Sequence, residues 1–217
     1  MAAPARIIIS FLFFCFLFSG VAVADDIACK CSTALDLLAI KMRAEQPSIS
    51  THAITGHSGF ALMQTKGDKK KCEPARDISG LKYCPAVGVD QETVDLYLKI
   101  YHGLISEKAA TEISKCYAAF FYYAAPYEQK YGRGAGEKLG YIFGKKVGSV
   151  SKILGYTFPQ SDFSHEAIMK RTLSEYHELQ KKTTEEAKKA IETYCHYCQK
   201  YELPIKEIIQ SAWANSQ

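Results

Sequence analysis

Apolar positions recur every three or four residues along most of the chain, the spacing of amphipathic helices. Ala34, Leu35, Leu38 and Met42 share one face of a first helix, with Thr33 and Asp36 as a capping-box start and Pro47 as a stop. That start leaves Cys29-Lys30-Cys31 extended, with both sulfurs on one side. Asp90 caps a second helix carrying Val94, Tyr97, Leu98, Tyr101 and Leu104. Ser106 caps a third, with Ala109, Ile113, Cys116, Phe120 and Ala124 in line and Pro126 at its end. Gly136, Gly140, Gly144 and Gly148 then recur every four residues, with Gly155 beyond. They run beside Leu139, Phe143, Val147 and Leu154, and Lys138, Lys145 and Lys152 are expected opposite. Such a ridge lets another helix backbone approach closely, and the expectation is tight packing within the domain. A helix from Asp162 or Ser164 runs to about Lys182. Thr183 and Glu186 restart it, with Ala187, Ala190, Ile191, Tyr194 and Cys198 on its apolar face. Pro204 opens a last helix with Ile205, Ile208, Ile209, Ala212 and Trp213 at helical spacing.

Residues 47–89 break the pattern with clustered Gly and Pro and a basic run, Lys66-Gly67-Asp68-Lys69-Lys70-Lys71. Segments 51–55 and 60–65 are expected to pair as a small hairpin across Gly56-His57-Ser58-Gly59. The expected class is mainly α with at most that hairpin.

The first residues change the picture most. Arg6, an apolar run over 7–18 and small residues at Ala22 and Ala24 have the form of a secretory signal covering 1–24. No other window is long and uncharged enough to span a membrane, so the mature chain is expected to carry no transmembrane helix, in a periplasmic or secreted setting. The net charge is only +4 and the lysines are dispersed, which argues against nucleic acid. Nothing implies a cofactor.

Eight cysteines become seven once Cys15 leaves with the signal, so six can pair in an oxidising compartment. Cys72 and Cys84 bracket a loop and are expected to join each other. Cys29 and Cys31 are expected to join Cys195 and Cys198 as a staple between the termini, leaving Cys116 free; this is one of about fifteen arrangements.

Three fragments carry a family resemblance. Glu45, followed by Ala53-Ile54-Thr55 and Ala61-Leu62-Met63-Gln64, resembles the lytic transglycosylase branch of the lysozyme-like fold. There a catalytic Glu ends a helix ahead of an Ala-Val-Ser type segment and Gly-Leu-Met-Gln. Tyr122-Tyr123-Ala124-Ala125-Pro126 is similar to that family's Tyr-Asn-Ala-Gly-Pro, in the same order. Gln46, Ala61, Tyr123 and Ala125 depart from the family pattern. The resemblance implies a lysozyme-like helical domain over 25–131, with a helical C-terminal region over 132–217 packed on it. It implies peptidoglycan as substrate, cleaved by Glu45 as a single general acid and base held protonated in a partly apolar cleft. Gln64 and Met63 would contact the glycan strand, with Tyr122 and Tyr123 lining the cleft.

Two other readings stand beside it. Tyr117, Tyr122, Tyr123, Tyr127 and Tyr131 are either a sugar- or partner-binding surface of a non-catalytic helical protein or ordinary core and turn residues. Cys195-His196-Tyr197-Cys198 has the spacing of thiol–disulfide exchange enzymes, but lies at the end of a polar-faced helix without the strand those enzymes place before it. His52 and His57 with Cys72 or Cys84 match no standard zinc spacing.

Overall fold

In a computed structural model the backbone is described for residues 5–65, 67–203 and 205–214, and side chains for 24–65, 67–203 and 205–210. Residues 1–4 and the side chains of 1–23 of the expected signal, Lys66 of the basic run, Pro204, and the side chains of Ala212 and Trp213 lie outside this range. The described residues form eight α-helices and two 3-10 segments, with no strand. The protein is mainly α. Among the described residues no helix is long and apolar enough to cross a membrane.

Packing divides the chain into two units, Met1–Tyr101 and His102–Gln217. The division falls earlier than the expected boundary after Tyr131, because the helix ending there packs with the helices that follow it.

In the first unit, α1 (Ala5–Glu45) runs without a break through the expected cleavage point and through Cys29-Lys30-Cys31. The expected start at Thr33 does not occur. Its hydroxyl instead donates back to the Cys29 carbonyl at 2.8 Å, a bond made inside a continuing helix. Ala34, Leu35, Leu38 and Met42 are fully buried, as their spacing requires. α2 (His52–Thr65) occupies the place of the expected hairpin. It turns back along α1, with Ser32 Oγ 2.8 Å from Ser58 Oγ and Arg43 donating to Thr51 at 2.7 Å. A 3-10 segment, Ile78–Val87, lies against α1 so closely that Gly80 has no room for a side chain. α3 (Gln91–Tyr101) begins at Asp90, whose carboxylate accepts from the Thr93 amide and hydroxyl at 2.8 and 2.9 Å. His57 Nδ1 sits 2.7 Å from the hydroxyl of buried Tyr97, joining α2 to α3.

Two disulfides hold this unit, Cys29–Cys72 and Cys31–Cys84. The expected Cys72–Cys84 bridge and the staple between termini are both overturned, for a geometric reason. On a helix, residues two apart point about 200° from each other, so Cys29 and Cys31 serve different partners. Cys31 and Cys84 lie in the core, whereas Cys29 and Cys72 are half-buried.

In the second unit, α4 (Ala109–Tyr131) is the central helix. It passes through Pro126, where one hydrogen bond is forgone, and ends at Gly132, whose φ of 86° suits glycine. α5 (Arg133–Thr157), α6 (His165–Gln180) and α7 (Thr184–Lys200) pack against it, and α8 (Ile205–Ala214) packs on α5. Phe120 stacks on Phe143 at 4.1 Å between ring centres, and Tyr117 meets Phe143 edge-on at 4.9 Å. Thr183 and Glu186 form the expected capping box of α7. Cys116 and Cys198 join α4 to α7, and Cys195 is the free thiol among the described residues, so the expected roles of Cys116 and Cys195 are exchanged. Cys116 and Cys198 both face the core, while the i, i+3 step turns Cys195 off that line. Glu112, largely shielded, accepts from Lys200 at 2.7 Å and from Tyr201 at 2.6 Å.

Burial holds the phenols of Tyr97, Tyr194 and Tyr201 above the ordinary value of 10.0, with hydrogen bonds to Glu175 and Glu112 adding to the effect for Tyr194 and Tyr201. A raised folded-state pKa favours the neutral form. The stability it contributes is complete below pH 10 and is lost as pH rises towards the folded values. Urea midpoints should therefore be level from about pH 8 to 9.5 and fall above about pH 10, in step with tyrosinate absorbance. A midpoint unchanged at about pH 11 would show that these phenols are not held neutral by the fold.

Candidate functional site

Within the first unit, Glu45 and Gln64 of the expected catalytic site lie apart. Glu45, the last residue of α1, is exposed, and its carboxylate accepts a hydrogen bond from the Tyr101 hydroxyl at 3.1 Å. That bond is the main cause of a raised Tyr101 pKa. Met63 is 73% exposed and Gln64 is also open to solvent. Because 52–65 is a helix, its rise of about 1.5 Å per residue carries Gln64 about 18 Å from His52, to the far end of the α1–α2 hairpin from Glu45. A strand there would have doubled back; the helix does not. Tyr122 and Tyr123 belong to the second unit, where their rings meet edge-on at 5.7 Å.

The Cys-x-x-Cys pair is also resolved. Cys198 is bonded to Cys116, and Cys195 is a partly buried thiol hydrogen-bonded to Tyr123, its pKa raised chiefly by burial. A raised thiol pKa is the opposite of what exchange chemistry uses. Cys72 and Cys84, of the zinc grouping, are each spent on a disulfide.

A large concavity lies in the second unit, along α5. It encloses about 1020 Å³. Its floor is the glycine ridge of Gly140, Gly144 and Gly148, continued by Ser151 and Gly155. The connector Pro159–His165 and Ile168 form the facing wall, and Tyr117 reaches in from α4. The expectation of tight packing fails here. A side chain added at Gly140 or Gly148 would meet nothing within 4 Å, and at Gly144 only the Tyr117 hydroxyl, at 3.9 Å. The ridge touches its neighbours only beyond this stretch, at Gly136 with Glu128 at 3.0 Å and at Gly155 with Phe163 at 3.3 Å. The ridge is therefore an open trough closed at one end.

Two features give this trough chemical character. Ser151 is 8% exposed, and its hydroxyl has no hydrogen-bond partner. Lys145 and Lys152 line the same trough, beside the glycines and not opposite them. Tyr141 and Tyr156 stand at its edge, 71% and 54% exposed. The repeated Gly-x-x-x-Gly marked this helix face in the sequence; that the face is vacant could not be read there.

Comparison with protein families, with characterised proteins and with solved structures finds no match to this chain.

Proposed function

We propose that the protein is an exported, disulfide-braced helical binding protein whose ligand seat is the glycine-floored trough of α5. The observation that carries the reading is an apolar trough of ligand size with a buried, unsatisfied hydroxyl on its floor. Small-molecule sites are mostly apolar clefts of roughly 300–1,000 Å³ with a few polar groups that fix orientation. Three disulfides support a periplasmic or secreted setting.

A neutral solvatochromic dye such as Nile red tests the seat. The oxidised protein should bind it at one site, and Gly148→Leu should abolish binding while circular dichroism stays unchanged. A Cβ at 148 meets nothing within 4 Å and Gly148 lines the trough, so a leucine there is directed at the trough and not at the core. Undiminished binding by Gly148→Leu would remove the trough from consideration.

Peptidoglycan cleavage by Glu45 has its own test. With Glu45 exposed and remote from Gln64, neither the wild type nor Glu45→Gln should release anhydro-muropeptides from peptidoglycan. Release by the wild type that Glu45→Gln abolishes would restore the enzymatic reading.

A further inference from the structure

We infer that the trough takes a single-chain anionic amphiphile, an acyl tail joined to a phosphate, with the tail along the glycine floor and the phosphate between Lys145 and Lys152. The inference rests on the trough being the ligand seat and adds the chemistry of the ligand.

The floor suits a tail. Between Gly140 and Gly155 the helix advances about 22 Å, and along this length the ligand meets bare backbone, Val147 and Ile168. A narrow flexible chain can lie there and stop where Phe163 meets Gly155. A partner helix, about 10 Å across with its side chains, would have to run out through that closed end.

The rim suits an anion. Lys145 and Lys152 lie on one face of α5, about 10 Å apart along its axis, so two flexible stems can converge on one phosphate. Neither pairs with a carboxylate among the described residues, whereas Arg133 on the same helix is paired with Glu137. Asp162, the acid of the facing wall, is turned onto the Ser164 amide at 2.9 Å. Like charges count against a second copy as occupant, since two α5 faces would bring four lysines together. Ser151 adds an unpartnered hydroxyl to the lining. Tyr141 and Tyr156, apolar in body and polar at the tip, mark the boundary between tail and water.

The test is calorimetric titration of the oxidised full chain with palmitoyl lysophosphatidylglycerol below its micelle concentration. Lysophosphatidylcholine has the same tail without net charge, and glycerol phosphate has the phosphate without a tail. One lysophosphatidylglycerol should bind per chain, about tenfold or more tighter than the zwitterionic lipid, and glycerol phosphate should not bind. Gly148→Leu should abolish binding. Lys145→Gln with Lys152→Gln should weaken it about tenfold, whereas Lys188→Gln with Lys189→Gln, which removes equal charge from α7, should not change it. Equal affinity for both lipids overturns the role of the lysines, and binding of glycerol phosphate alone overturns the role of the tail. Sedimentation with anionic phospholipid vesicles that survives Gly148→Leu, with no monomeric lipid bound, assigns the charge to a membrane surface and refutes the inference. If the dye still enters the trough and Gly148→Leu still expels it, but the lipid does not bind, the seat stands and this ligand is wrong. If Gly148→Leu affects neither dye nor lipid, the seat itself is wrong.

Discussion

Replacing Cys31 and Cys84 together by alanine should lower the unfolding free energy of the first unit by about 4 kcal/mol from loop entropy alone. The bridge closes 53 residues of chain, a loop long enough that its release gives the unfolded ensemble much freedom. Both sulfurs are fully buried, so the variant also leaves a small cavity against α1, adding to the loss. Against a typical total of about 5–15 kcal/mol, a loss of this size brings the unit close to unfolding at ambient temperature. Cys29→Ala with Cys72→Ala should cost less. Its loop of 43 residues overlaps the other, so the constraint is partly redundant, and its half-buried sulfurs leave no core cavity. Urea denaturation of the two oxidised variants should rank them in this order. Graded reduction of the wild type should open Cys29–Cys72 first, since reductant reaches it more readily. A Cys31→Ala/Cys84→Ala protein with the wild-type midpoint would mean that the α1 contact with 78–87 holds without its bridge.

What could be read from the sequence follows where local chemistry decides the outcome. Asp90 and Thr183 cap helices wherever those helices pack, because each bond is made within three residues. The buried face of α1 was equally legible from its spacing. Segment 51–65 was not, although its buried residues Ile54, Ser58, Ala61 and Leu62 follow helical spacing. Ser58 was placed in the expected turn, yet it is buried on α2, where Ser32 of α1 meets its hydroxyl. Gly56 and Gly59 read as a turn, yet they lie on α2, each with open space where a side chain would be. The cysteine partners depended on the same missing step. Once α1 runs through Cys29 and Cys31 their directions diverge, and no rule of spacing supplies that before the helix is known. The resemblance at Glu45 rests on short fragments, which carry no information on the helix that places Gln64 at the other end of α2. In the second unit the glycine ridge was visible, but its vacancy follows from where the connector Pro159–His165 runs.

Two glycine-to-alanine changes should separate these cases by sign. Gly80→Ala should destabilise the first unit by about 3 kcal/mol, at the upper end of ordinary overpacking. Its added methyl would stand 2.4 Å from the Lys30 carbonyl oxygen and 3.0 Å from Ala34 Cβ. The first obstacle is backbone inside a long helix, so no side-chain rotation relieves it, and the 3-10 segment must lift away. Lifting it draws Cys84 from Cys31, whose Cα atoms are 4.9 Å apart, so the variant should also accumulate free thiols during oxidative folding. Gly148→Ala meets no atom within 4 Å and removes the entropic penalty of glycine from a helix interior. It should stabilise the second unit by about 0.5–1 kcal/mol. Urea midpoints and thiol titration of refolded protein measure both effects. A tolerated Gly80→Ala with normal disulfides would show that close approach to α1 does not position Cys84. A destabilising Gly148→Ala would show that the trough floor is packed against something, and the proposed ligand seat would lose its space.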